Sequence, residues 1–195
     1  MLRVLLLTIS VLLGACSSLP PAGTALSVHP YQDALTMNGR LSVRYQQAGK
    51  EQSVQGKFSW TQTRDNTSIV LFSPLGQTMA KIEIAPDFAS LQRAGEAVQR
   101  ASDVSELTTR LLGWPLPVSS LRDWLQGYVR DANGTRLAAR SDALQNLGND
   151  GWQARYVSWQ GDAAASFPKR IDLQRGSAGS SEIGLRIVID SWQPQ

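Results

Sequence analysis

The sequence predicts a mainly β fold, in which a large antiparallel sheet is covered by two short helices. Three observations support this prediction. Apolar and polar residues alternate over much of residues 41–91 and again over 152–189, and polar, glycine-containing turns separate the alternating runs. Between these groups, "SDVSELTTRLLG" and "WPLPVSSLRDWLQG" repeat apolar residues at helical spacing. Because alternation with period two is typical of strands buried on one face, we expect a curved sheet with a helical lid.

The start of the chain indicates export and lipidation. Residues 1–15, "MLRVLLLTISVLLGA", carry one basic residue, Arg3, before an apolar run too short to span a bilayer comfortably, and we predict a signal peptide. The run leads into Leu13-Gly14-Ala15-Cys16, which resembles the bacterial lipobox, where the cysteine is lipidated and becomes the first mature residue. Several acyl chains on one residue hold firmly, so Cys16 is the predicted membrane anchor.

The composition of residues 16–30 predicts a flexible tether between the lipid anchor and a folded domain. The segment "SSLPPAGTALSVHP" is rich in proline and has no charged residue, which suits an extended chain. Ser17 follows the cysteine at a position where bacterial lipoproteins retained in the inner membrane commonly carry aspartate. We therefore expect the protein to be located at the outer membrane and to face the periplasm. Residues 31–195 are then long enough for a single domain with a substantial core.

The strands are predicted in order along this domain. The first strand places Leu41, Val43 and Tyr45 on one face, the second places Val54, Gly56, Phe58 and Trp60 on one face, and further strands are expected at 69–72, 79–84, 88–91, 152–159, 168–174 and 183–189. Polar turns connect the first strands, which suggests a meander. The sheet is therefore expected to be antiparallel for most of its width.

Both helices have recognisable ends. The first is predicted to begin at Asp103, three residues before Glu106 in a capping-box-like start, and to end at Gly113. The second follows Pro117 and ends at Gly127. Their apolar stripes are Val104, Leu107 and Leu111 in the first helix and Val118, Leu121 and Leu125 in the second. Each helix should therefore pack one face over the sheet.

Composition argues against several functional classes. The 19 Lys plus Arg and 16 Asp plus Glu residues give a net charge of +3, and they are scattered, which disfavours nucleic-acid binding. His29 is the single histidine and lies in the predicted tether, which argues against a Ser-His-Asp set and excludes a histidine-rich metal site. Cys16 is the single cysteine, so a disulfide framework is excluded. The sequence contains no GxxxxGK[ST] phosphate loop. We therefore predict that the protein is not an enzyme and that it binds no cofactor and no metal.

Two stretches, "SPLGQTMAKIEI" and "LTTRLLGWPLPVSSLRDWLQG", resemble the LolB family of outer-membrane lipoproteins, which receive other lipoproteins from a periplasmic carrier and insert them into the outer membrane. The likeness continues in order through the lipobox, "GRLSVRY", "GKFSW" and a final "LRIVIDSW". The resemblance implies an antiparallel sheet rolled into an incomplete barrel, with lid helices over a hydrophobic cavity that takes acyl chains. The helix that the family leads us to expect near Pro30 and Tyr31 would be short, because "PYQDALTMNG" holds at most about two turns.

The resemblance also implies partners and a binding site. The expected partners are a LolA-like periplasmic carrier, acylated lipoprotein cargo and outer-membrane lipid, and the chain is expected to act as a monomer without nucleotide energy. The candidate residues for the acyl-chain cavity are Phe58, Trp60, Leu107, Leu111, Leu121, Trp124 and Leu125. Taken singly, each of these residues fits a filled core equally well.

The turn Pro74-Leu75-Gly76 lies between two predicted strands and carries a leucine where a polar residue is usual. Burying one leucine in lipid gains roughly 1.5 to 3 kcal/mol, enough to orient a protein that is already anchored. In the LolB family the matching leucine is implicated in delivering cargo to the membrane, so the resemblance implies that role for Leu75. The alternative is a leucine that folds back onto the sheet.

Two other functions stay open from the residues themselves. A scaffolding outer-membrane lipoprotein would bind a protein partner and have a filled core, whereas a lipid-modifying enzyme would need a convergent polar site that the sequence does not offer. The basic residues Arg40, Arg44 and Lys57 fit either attraction of an acidic carrier or ordinary solvated strand positions. They do not discriminate between the hypotheses.

Overall fold

The structure is a computed structural model that describes residues 27–47, 49–112, 116–141, 143–147, 151–162, 165–176 and 183–195. The predicted signal peptide, the predicted lipidation site Cys16 and the first part of the predicted tether lie outside these residues, as do the side chains of Leu111 and Leu112. The elements are β1 (Leu35–Gln47), β2 (Lys50–Gln62), β3 (Thr67–Phe72), β4 (Thr78–Ala85), β5 (Phe88–Arg93), β6 (Gln99–Ala101), α1 (Val104–Leu112), α2 (Val118–Trp124), β7 (Tyr128–Arg130), β8 (Arg136–Ala138), β9 (Leu144–Leu147), β10 (Trp152–Gly161), β11 (Ser166–Arg175) and β12 (Ile183–Pro194).

Ten strands form one sheet in the order β6-β5-β4-β3-β2-β1-β12-β11-β10-β9, and β7 pairs with β8 separately. Every ladder is antiparallel, and the two halves of the chain meet where β1 pairs with β12, with Leu41 opposite Ile187. β6 and β9 are edge strands, so the sheet does not close. The prediction of a mainly β fold with an open antiparallel sheet and two short helices is confirmed.

The connections define two ends of the sheet. The end of β1, the start of β2, the β3–β4 turn at 73–77 and the β5–β6 turn at 94–98 lie at one end of the sheet, which we call the rim. Residues 27–34, the β2–β3 turn at 63–66 and the start of β11 lie at the other end, which we call the base. This follows because consecutive antiparallel strands of a meander turn back alternately at opposite ends.

The two faces of the sheet differ in polarity. The apolar face carries the core, whose largest fully buried side chains include Trp60, Trp152 and Tyr156. On the other face Arg40 makes a bidentate ion pair with Asp190 at 2.9 Å, and this hydrogen bonding holds the pKa of the Asp190 carboxyl below its usual range. The alternation in the sequence therefore separates a solvated face from a buried face, as predicted.

The predicted start of α1 is confirmed. The Asp103 Oδ1 atom accepts a hydrogen bond from the Glu106 backbone N–H at 2.8 Å. Glu106 reaches back to Ser102, whose hydroxyl donates to Glu106 Oε2 at 2.8 Å, and this hydrogen bond is the main cause of a lowered pKa at Glu106. The Asp103 side chain therefore satisfies one of the backbone donors in the first turn of the helix. The predicted end at Gly113 lies outside the described residues.

The predicted boundary between tether and domain was wrong by a few residues. The backbone N–H of Ser166 donates to the Ser27 carbonyl at 2.8 Å, and the N–H of His29 donates to the Ser166 carbonyl at 2.7 Å. The hydroxyl of Tyr128 donates to the His29 carbonyl at 2.8 Å. Residues 27–30 are therefore part of the folded domain. The short helix expected near Tyr31 is absent from residues 27–34, and β1 begins at Leu35.

We predict that Gly127→Ala destabilises the chain by roughly 1 to 3 kcal/mol more than Gly134→Ala does. Both glycines have positive φ, 81° and 80°, so the two substitutions share the same backbone strain. A Cβ atom at Gly127 would lie 2.8 Å from the Trp159 ring, whereas one at Gly134 would meet nothing within 4 Å. Urea unfolding of the two variants measures the difference, and equal losses would contradict tight packing at Gly127.

Candidate functional site

A cavity of about 500 Å³ lies between the apolar face of the sheet and the helical segment. Strands β1 to β5 and β12 supply most of its wall, and the helical side is formed by Thr108, Leu116, Leu121 and Leu125. Except for Thr108 and Arg93, the lining side chains are aliphatic or aromatic. A cavity of this size and character suits an apolar ligand that needs few polar contacts.

The structure brings part of the predicted site together. Phe58, Trp60, Leu121 and Leu125 line the cavity. Leu107 and Trp124 do not: both are buried in the core, and the Trp124 ring packs on Trp152 with centroids 6.5 Å apart. The side chain of Leu111 lies outside the described residues.

Much of the wall was not among the predicted site residues. Leu41, Val43 and Tyr45 of β1 line the cavity, as do Leu185 and Ile187 of β12. Their alternation was visible in the sequence and placed each set on one face of its strand. Alternation assigns a residue to the buried face but does not indicate whether that part of the face is filled or hollow.

Arg122 fastens α2 to the base of the sheet. Its guanidinium donates to the backbone carbonyls of Thr63 and Arg64, the latter at 3.0 Å, and lies 3.4 Å from the Thr67 hydroxyl. The five donors of a guanidinium can bind several carbonyls of one turn at once. The helix that covers the cavity is thereby fixed to the β2–β3 turn.

Two buried glutamines extend this attachment. Gln126 accepts from the Gln32 backbone N–H at 2.8 Å and donates to the Gln32 carbonyl at 3.1 Å. Gln62 donates to the same carbonyl at 3.1 Å and accepts from the Trp60 indole N–H at 3.0 Å. Buried amides whose hydrogen bonds are satisfied define a specific arrangement. The end of α2, the end of β2 and the N-terminal segment therefore meet in one network, which also orients a cavity-lining tryptophan.

A buried carboxylate holds the other side of α2. Asp123 is only 4% exposed and pairs with Arg130 at 2.6 Å and with Arg136 at 2.9 Å. The Arg136 guanidinium lies 3.5 Å from the centroid of the Tyr31 ring. A buried charge is costly unless it is paired and hydrogen-bonded, and two guanidinium groups meet that need here. The β7–β8 hairpin is thereby joined to the lid.

The two helical elements are linked through Thr108. Its hydroxyl donates to the Val104 carbonyl at 2.9 Å and accepts from the Leu116 backbone N–H at 2.9 Å. Its side chain lines the cavity with both roles of its hydroxyl occupied. Thr108 therefore adds no free polar group to the cavity.

The cavity reaches the surface at the rim. Val54 and Met79 line it and are 41% and 43% exposed. At the same end of the sheet, Leu75 is 91% exposed in the β3–β4 turn. The turn is closed by hydrogen bonds from Gly76 N–H to the Ser73 carbonyl and from Ser73 N–H to the Gln77 carbonyl, at 2.9 and 2.8 Å. Leu75 therefore does not fold back onto the sheet.

Gly76 explains why this turn is possible. Its φ of 88° lies in the left-handed region, which glycine adopts without steric cost. Pro74 lies two residues earlier, and its ring restricts its φ. A proline and a glycine at these two positions favour a tight hairpin connection. Pro74, Leu75 and Gly76 thus form a compact turn with one large apolar side chain pointing into solvent.

The described part of the chain shows few polar side chains grouped in a way that would suit metal binding or catalysis. Its residues include no group of three or more His, Cys, Asp and Glu side chains placed to hold a metal ion. The buried phenol of Tyr156 donates to the Trp124 carbonyl at 3.1 Å, and burial raises its pKa. Among the described helices, neither has the length and apolar character that a membrane span requires.

Comparisons with known proteins agree with one another. A family model described as "Outer membrane lipoprotein LolB" matches residues 33–192. A relative named "Outer-membrane lipoprotein LolB" from Cupriavidus taiwanensis is 38% identical and the match covers 99% of this chain and 97% of that protein. A relative with the same name from Cupriavidus necator is also 38% identical, with 94% and 92% covered.

One solved structure is similar in fold. A DUF1329 family protein from Desulfovibrio piger superposes with a TM-score of 0.50, at 10% identity, over 85% of this chain and 87% of that chain. At this identity the similarity concerns the fold alone.

We predict that Ala80→Phe fills the cavity and weakens the binding of an apolar fluorescent probe such as N-phenylnaphthylamine by about tenfold, equivalent to about 1.4 kcal/mol. Ala80 lines the cavity, so the added ring should enter empty space rather than displace packed neighbours. Ala85→Phe is the matched control, because Ala85 lies on the same strand but alternates to the other face. Fluorescence titration measures both variants, and unchanged binding by Ala80→Phe would mean that the probe binds elsewhere.

Proposed function

This chain belongs to the LolB family of outer-membrane lipoproteins, and on this premise we propose that it accepts acylated lipoproteins from a LolA-like periplasmic carrier and inserts them into the outer membrane. In this proposal the chain acts as a monomer anchored through Cys16 and faces the periplasm. The proposed tether would end before Ser27, whose carbonyl accepts a hydrogen bond from the Ser166 N–H at the start of β11. The cargo's acyl chains are the ligand.

The observation that carries the proposal is the apolar cavity that reaches the surface at the rim, the end of the sheet that also carries Leu75. Acyl chains cannot cross water unshielded, because each methylene exposed to water costs about 0.8 kcal/mol. A cavity lined almost entirely by apolar side chains can shield them without recognising a particular head group. The scaffolding alternative expects a filled core at this place, so the cavity supports the acceptor function over it.

Leu75 is proposed to orient the rim against the bilayer. It is almost fully exposed at the end of the sheet where the cavity reaches the surface. Inserting one leucine into lipid gains roughly 1.5 to 3 kcal/mol, which is small beside the lipid anchor but sufficient to favour one orientation. The cavity would then open towards the membrane that receives the cargo.

Transfer in this proposal runs downhill without nucleotide. If the cavity holds the acyl chains about 1.4 kcal/mol more tightly than the carrier does, the exchange is favoured roughly tenfold. The bilayer then provides the deepest free-energy minimum, since all methylenes are buried there. No catalytic group, cofactor or metal takes part.

We predict that Leu75→Glu accepts cargo but delivers it poorly. The substitution leaves the cavity wall intact and places a charge where an apolar side chain would enter lipid, which costs the gain of roughly 1.5 to 3 kcal/mol and reduces delivery by at least about tenfold. The measurement follows a radiolabelled lipoprotein from its purified periplasmic carrier to this protein and onward to liposomes.

Two variants serve as controls for this experiment. Leu75→Phe keeps an apolar side chain in the turn and should deliver as the wild type does. Leu137→Glu makes the same change at another leucine that is 48% exposed, on β8, and should also deliver normally. If wild type accepts nothing, the acceptor function fails and the scaffolding function replaces it; if Leu75→Glu delivers at the wild-type rate, Leu75 is an ordinary turn residue.

A further inference from the structure

One charged side chain interrupts the apolar wall. Among the described residues that line the cavity, Arg93 is the only one with a charge. It is the last residue of β5, lies opposite Ala80 of β4, and precedes the β5–β6 turn at the rim. The backbone on both sides is fixed, because the Ala94 N–H donates to the Met79 carbonyl at 3.1 Å. Arg93 therefore stands where the cavity meets the surface.

Within the described residues, the guanidinium of Arg93 donates no hydrogen bond. Its ionic neighbour is Glu96, whose Oε2 lies 3.6 Å from Arg93 Nη1, beyond hydrogen-bond distance. The Arg93 side chain is 38% exposed, so part of it lines the cavity and part is in contact with water. A guanidinium offers five N–H groups and no acceptor, and it binds planar oxygen groups well.

We propose that Arg93 binds the oxygen-bearing head of an acylated ligand whose hydrocarbon chains fill the cavity. The ester and amide carbonyl oxygens of an acylated cysteine, or the carboxylate of a free fatty acid, would accept hydrogen bonds from the guanidinium. This inference rests on the proposed function, because it assumes that acyl chains occupy the cavity. It adds a direction to binding: the methyl ends lie inside and the head stays at the rim.

The direction has a physical basis in the part of the cavity away from the rim; Tyr45, the other lining side chain with a hydroxyl, lies near the end of β1 at the rim. The hydroxyl of Thr108 is occupied by Val104 and Leu116, and the indole N–H of Trp60 is occupied by Gln62. A ligand carbonyl placed at either of those positions would lose its water without gaining a donor, which is unfavourable. At Arg93 the same carbonyl gains a charged donor and remains close to solvent.

Two probes that differ only at the head test the inference. We would titrate cis-parinaric acid and its methyl ester, which become fluorescent in apolar surroundings, against the mature chain carrying Cys16→Ala so that no detergent is needed. The acid is ionised and the ester is not, and both have the same hydrocarbon chain. The ratio of their dissociation constants therefore reports the head contact separately from the cavity.

We expect Arg93→Met to weaken binding of the acid by about tenfold and binding of the ester by no more than about threefold, because a carboxylate adds an ion pair and a second oxygen acceptor to the hydrogen bond that the guanidinium can make with either head. Arg93→Lys should recover most of the preference for the acid. Lys81→Met is the matched control: Lys81 lies next to Ala80 on the opposite face of β4, paired with Glu83 at 2.7 Å. It should change neither constant.

The outcomes separate this inference from the proposed function. If wild type binds both probes and Arg93→Met leaves the ratio of the two constants unchanged, the assignment to Arg93 is wrong and the acyl-chain cavity stands. If wild type binds neither probe, the proposed function fails, and this inference fails with it.

Discussion

The cavity between the helices and the sheet depends on hydrogen bonds and ion pairs that hold α2 away from the sheet. Apolar surfaces around an empty space gain free energy by closing on each other, so a cavity persists only where the backbone on both sides is fixed. Arg122 fixes α2 to the β2–β3 turn, Asp123 fixes it to the β7–β8 hairpin, and Gln126 fixes its end to the N-terminal segment. These contacts lie beside the cavity and leave its lining apolar.

These attachments divide the molecule into a fixed base and an open rim. At the base, Gln62, Gln126 and the backbone of residues 27–32 form a continuous hydrogen-bonded network. At the rim, the cavity reaches the surface past Met79, and both Leu75 and Arg93 lie at this end. In the proposed function, an acyl chain would enter and leave at the rim, where opening the cavity breaks none of the hydrogen bonds of this network.

The segment that best reveals the family is mostly structural. In "LRDWLQG" the side chains of Leu121 and Leu125 line the cavity, whereas Arg122 binds the base and Trp124 packs on Trp152. Gly127 ends the segment where a side chain would meet Trp159. A sequence motif can thus identify a binding protein through the residues that hold its site open, while the lining itself needs only apolar side chains of suitable size.

Local patterns in the sequence determined the long strands, the cap at Asp103 and the turn around Leu75, because alternation, capping and turn chemistry act within a few residues. They missed β6, β7, β8 and β9, which have three or four residues and too little alternation to be seen. Only the tertiary structure decided that residues 27–30 join the domain, that Leu107 and Trp124 fill the core, and that Arg93 lines the cavity. The physical reason is that a filled core and an empty cavity are lined by the same kinds of apolar residue. Only contacts between residues far apart in the sequence distinguish the two.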